Sequence, residues 1–113
     1  MVSSEPRRRI DRVLENYLLA LAWVDQCDAS APEEIKTRLA ANAARAERAW
    51  SDAAADGLVE LSEAATADLA ALAGLVGRAR AALLDGEPIA GLLDALEAGT
   101  DRAIRVVTAA LDG

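Results

Sequence analysis

The chain has 113 residues, 53% of them hydrophobic and 27% charged, with a formal net charge of -7, no histidine and a single cysteine. That length suits one domain, 1–113, with a core of its own. The acidic balance argues against nonspecific binding to nucleic acid or to an anionic membrane surface, both of which carry the same sign of charge. Twenty-eight alanines and no phenylalanine favour closely packed helices. The lone Cys27 forms no internal disulfide and suits a reducing, cytoplasmic setting.

The first predicted helix covers about 5–28, with Ser3 or Ser4 as its cap and Ile10, Leu14, Tyr17, Leu21 and Val24 as its core stripe. Its arginines 7–9, the apolar run 17–24 and the Ala29-Ser30-Ala31 stretch imitate a secretory leader. Asp11, Glu15 and Asn16 interrupt that pattern, so it is read as part of the domain. The second helix, about 31–55, has a capping-box start with Ser30 as cap and Glu33 three residues on, and the stripe Ile35, Leu39, Ala43, Ala46, Trp50 and Ala53.

Asp56-Gly57 marks the next break. A third helix, about 58–85, carries Leu58, Leu61, Ala65, Leu69, Leu72, Val76, Ala79 and Leu83; Ser62 offers a later start that would leave 57–61 as an irregular link. After Asp85-Gly86-Glu87-Pro88, a fourth helix, about 88–111, runs through Gly99 with Ile89, Leu93, Leu96, Thr100, Ala103, Val107 and Ala110 inward, although glycine costs about 1 kcal/mol there. Four amphipathic helices with short links predict an all-α, antiparallel up-down four-helix bundle, oligomeric through its outer faces.

The missing histidine removes histidine general bases, Ser-His and Cys-His nucleophiles, di-iron bundle sites and ordinary zinc catalysis. One cysteine builds no thiolate metal site, and no glycine pattern forms a phosphate cradle. Asp94, Glu97 and Asp101 share the outward side of the fourth helix, where Arg102 and Arg105 are the expected counter-ions. No metal and no cofactor are therefore predicted. Residues 7–22, RRRIDRVLENYLLALA, resemble the opening helix of the small all-helical chorismate mutases. That resemblance implies a dianion site built from several cations, for which Arg9, Lys36, Arg38 and Arg45 are the available residues.

Outside the core stripes, three features point to partners. Leu19 and Trp23 fall on the back of the first helix, one turn apart, as an exposed pair of the kind enriched at protein interfaces. Ala67, Ala70, Gly74, Gly77 and Ala81 form a lane of small residues on the back of the third, spaced to let another helix approach closely. Arg7, Arg8, Arg9 and Arg12 sit at a helix start, against the dipole, with Asp52, Asp56 and Asp112 as expected internal partners and an anionic ligand as the other reading. The expected function is a non-catalytic module that binds itself or another protein, with neither nucleic acid nor membrane as partner. A small-ligand-binding bundle and an enzyme of carboxylates and arginines are the alternatives.

Overall fold

The structure, a computed structural model, describes residues 5–112. Four helices account for most of it: α1 (Glu5–Gln26), α2 (Glu33–Asp56), α3 (Glu63–Leu84) and α4 (Leu93–Asp112), the last preceded by a 3₁₀ turn at Ile89–Gly91. There is no strand among the described residues. The expected Ser3 or Ser4 cap lies outside them.

Local chemistry sets the boundaries. Ser62 takes the N-cap of α3, its hydroxyl oxygen accepting from the Ala65 N–H at 3.1 Å, so 57–62 is a link and the third helix starts later than its apolar stripe does. The predicted capping box at Ser30 does not form. Pro32 holds the cap of α2 without a side-chain bond, and the Ser30 N–H instead donates to Asp28 Oδ1 at 2.9 Å. Gly57 ends α2 in the left-handed region, at φ 89°, with its N–H on the Ala53 carbonyl.

The helices surround one core that includes Val13, Leu39, Leu58, Leu72 and Val106, all fully enclosed. Burying each such side chain is worth roughly 1.5–3 kcal/mol. α1 packs broadly on α2, α2 on α4 and α4 on α3, with α1 and α3 sharing a smaller face. α2 and α3, consecutive in sequence, therefore lie across the core from each other. The ion pairs Arg38–Asp94 and Arg45–Asp101 advance together along α2 and α4. Tyr17 of α1, by contrast, stacks on Trp50 near the far end of α2, ring centroids 5.9 Å apart.

Because α2 and α3 face each other across the core, their link has to cross the end of the bundle. Leu58 plugs that end. It is completely buried yet has φ 48°, a left-handed conformation that costs a leucine about 1–2 kcal/mol. Burial offsets that cost, and the backbone around it is held from two sides. Asp56 Oδ2 accepts from the Leu58 N–H at 3.2 Å, and Arg9 Nη1 donates to the carbonyls of Leu58 and Val59 at 2.9 Å each.

α4 passes unbroken through Gly99, and packing explains the glycine. A Cβ there would come within 2.9 Å of Asn16 Oδ1. Asn16 is buried in α1 and its Nδ2 donates to Thr100 Oγ1 at 3.2 Å, so the missing side chain makes room for a polar tie between α1 and α4.

α1 is rotated from its expected setting by about one residue step, roughly 100°. Val13, Asn16, Leu19, Ala20 and Trp23 are its buried positions, while Leu21 is exposed. The physical reason is that α1 is covered from more than one side: Tyr17 and Val24 pack towards α2 alongside Ala43 and Ala46 while other positions meet α3 and α4, so the stripe of largest residues is not the centre of the covered arc.

Candidate functional site

That rotation overturns one expectation outright. Leu19 is 7% and Trp23 4% exposed; both belong to the core, and neither presents an outward contact. The apolar residues that α1 does leave in water are Leu18, 52% exposed, and Leu21.

The small-residue lane of α3 lies outward as expected. Ala67, Ala70, Gly74, Gly77 and Ala81 are all exposed, and a Cβ placed on Gly74 or Gly77 would meet no atom within 4 Å. Beside it runs the seam with α1, where an open groove of about 330 Å³ is lined by Glu5, Arg8, Arg9 and Arg12 on one side and Thr66, Leu69, Ala70 and Ala73 on the other. Two features that were separate in the sequence, the arginine group and the lane, thus share one face. α1 presents Arg8 and Arg12 one turn apart, and α3 meets them with side chains too short to fill the space between the helices.

The arginines differ in what they do. Arg9 is the half-buried residue that holds the link at Leu58 and Val59 and pairs with Glu5 at 3.9 Å. Arg7, Arg8 and Arg12 are exposed and form no ion pair with any described residue. The expected partners Asp52, Asp56 and Asp112 pair with none of them; Asp56 turns instead to the Leu58 amide. Farther along the same seam, Arg80 donates to Glu15 at 3.0 Å.

The acids of α4 also find partners other than those expected. Arg38 reaches across from α2 to Asp94 at 3.0 Å and to Glu97, with Nε 3.1 Å from Oε2, and Arg45 pairs with Asp101. Hydrogen bonding to Glu97, then to Asp94, raises the Arg38 pKa further above its already high value. Arg102 turns away to Asp68 of α3 at 2.6 Å. The counter-ions come from neighbouring helices because successive residues on α4 face different sides. Among the described residues there is no group of three or more acids or cysteines arranged to hold a metal ion.

The cations that the mutase resemblance would need do not converge. Arg9 is bound to the link at one end of the bundle, Lys36 to the Ala29 carbonyl and Glu33 beside the α1–α2 connection, and Arg38 and Arg45 to α4. No family model, curated protein or solved structure matches the chain. None of the described helices is long and apolar enough to cross a membrane.

At the end of the bundle far from Arg9, a smaller cleft of about 260 Å³ lies between the end of α1 and the α3–α4 connection, lined by Trp23, Cys27, Leu83, Pro88 and Ile89 among others. Trp23 Nε1 is buried without a hydrogen-bond partner, as is Asn42 Oδ1; each such group costs about 1–3 kcal/mol. Half-buried Cys27 has its Sγ 3.8 Å from the Asp28 carbonyl. Within the core, Ala20, Ala43 and Ala46 close on one another under Tyr17 and Val24.

Proposed function

We propose that this chain is a non-catalytic interaction module, an antiparallel up-down four-helix bundle that associates with itself or with another protein through its α1–α3 face. One observation carries the reading: Arg8 and Arg12, which pair with no described residue, border an open groove that runs beside a lane of exposed small residues. Unpaired cations are out of keeping with a chain of net charge -7, where carboxylates are the commoner charge. Small side chains let a second helix come close enough for dispersion contacts along its length. Light scattering over a concentration series tests the self-associating form, with a dimer or larger expected at micromolar concentration.

A small-ligand-binding bundle is the second reading, favoured by the acceptor-less indole N–H of Trp23 in the wall of the second cleft. In a Trp50→Phe protein, Trp23 is the only indole, so its fluorescence should report any neutral amide or ketone that enters. A flat titration with such probes rejects this reading.

A further inference from the structure

The α1–α3 face carries complementary features at its two ends. At the α1 N-terminal end, Arg8 and Arg12 border the groove floored by Thr66, Leu69, Ala70 and Ala73. At the other end, α3 finishes on Leu84, 81% exposed and three positions beyond Ala81 of the lane, and the chain continues into Asp85 and Glu87, both exposed. Neither acid forms an ion pair with a described residue, and neither do Arg8 and Arg12. Glu5 also lines the groove but pairs with Arg9, so one end offers Arg8 and Arg12 beside Thr66, Leu69 and two alanines, and the other is an apolar side chain followed by negative charge. A patch that holds both halves of a contact is self-complementary under a two-fold axis.

We infer that the α1–α3 face docks a second copy of this chain, with the two α3 helices antiparallel and crossing between Gly74 and Gly77. This rests on the reading of the chain as an interaction module and names its occupant and register. About that axis, Ala70 lies against the partner's Ala81, Ala67 against the partner's Leu84, and Thr66 against the partner's Asp85. The crossing point falls where no atom stands within 4 Å of a Cβ on either glycine, so the two backbones approach most closely there. Arg8, beside Thr66 in the groove, meets the carboxylate of the partner's Asp85, and Leu84 of each copy covers the small side chains of the other. Because the axis duplicates every contact, two arginine–carboxylate meetings form per dimer.

The test uses the full chain in sedimentation velocity, with circular dichroism to confirm that each variant remains helical. The unaltered protein is expected to dimerise. Arg8→Glu combined with Arg12→Glu should raise the dimer Kd by roughly tenfold or more, and so should Asp85→Lys, because each sets like charges together at both contacts. An equimolar mixture of these two proteins should dimerise again, since both contacts then join opposite charges. Glu47→Lys, which alters net charge as much as Asp85→Lys does but lies exposed on α2, across the core from α3, should leave the dimer intact. A dimer indifferent to the arginine and Asp85 exchanges, or a mixture that fails to re-associate, overturns this docking while leaving self-association in place. A protein that stays monomeric at high concentration overturns both and leaves only the form of the proposed function in which a different protein is bound.

Discussion

Along the α2–α4 seam, Arg38 and Arg45, two turns apart, reach Asp94, Glu97 and Asp101 and close the surface with cross-helix ion pairs. Along the α1–α3 seam, Arg8 and Arg12 have the same kind of position beside a neighbouring helix, yet that helix offers them Thr66, Leu69, Ala70 and Ala73. Among the described residues, only the Arg80–Glu15 ion pair bridges it above the groove. Both seams are built from arginine on one helix facing another, and the difference lies wholly in what stands opposite. Exposed ion pairs contribute only about 0.2–1 kcal/mol each, so the first seam owes its closure mainly to the broad packing of α2 on α4. The second combines a smaller shared face with unanswered charge, which is why the proposed contact is placed there.

Glycine gives the sharpest way to test this contrast. Gly99→Leu, in the core beside Asn16 and Leu72, should destabilise the bundle by about 3 kcal/mol through overpacking and loss of the Asn16–Thr100 tie, measured by urea denaturation. Gly74→Ala, in the open lane, should instead stabilise the fold by up to about 1 kcal/mol through helix propensity. Gly74→Leu should leave the fold within about 0.5 kcal/mol while weakening association. A large loss of stability at Gly74 would show that the lane is covered within the monomer.

The arginines rank next. Arg9→Ala should cost about 1–2 kcal/mol, because two carbonyls of a strained link lose a charged donor, and the far-ultraviolet spectrum should stay helical. Arg38→Ala should cost less than Arg9→Ala, and less still at high salt, since its pairs are largely solvated. Arg12→Ala should have no measurable effect on monomer stability. Equal losses at Arg12 and Arg38 would erase the distinction between the seams.

The smallest effect expected is a pH dependence at the α1–α2 connection. The Ser30 backbone N–H, followed by the Ser30 hydroxyl, lowers the Asp28 pKa below its usual 3.8. A carboxylate depressed in the folded state stabilises above its unfolded value, and that contribution disappears as the pH falls through the folded one. The Tm difference between the protein and its Asp28→Asn variant should therefore be present at neutral pH and vanish in acid, once the pH has fallen through the lowered folded-state pKa. A difference that persists in acid would mean the Ser30 bond does not depend on the charge.

Four helices and their order could be read from the sequence because apolar spacing and breaking residues are properties of neighbours in the chain: Gly57 and Gly86 both adopt the positive φ that their Asp-Gly turns imply. The lane from Ala67 to Ala81 was legible for the same reason, being the side of α3 opposite its stripe. The groove was not, because it needs Arg8 and Thr66 side by side, and no local pattern states which helices adjoin. Ser30 and Ser62 have similar local patterns, yet only Ser62 caps a helix; at Ser30, Asp28 and Pro32 rearrange the turn.

The sequence by itself determined that the chain is helical, where most of its helices stop, which faces of α2, α3 and α4 are buried, and that histidine chemistry is absent, since each follows from composition or from spacing along one helix. Only the tertiary structure decided that α2 and α3 lie across the core from one another, that Leu58 is forced into a left-handed turn to close the end, and that Leu19 and Trp23 face inward while Leu84 faces water. Those outcomes depend on which helices share a boundary. A helix wedged between two neighbours buries an arc set by both of them, and the periodicity of one strand of sequence carries only the width of its apolar arc, not the direction in which the neighbours lie.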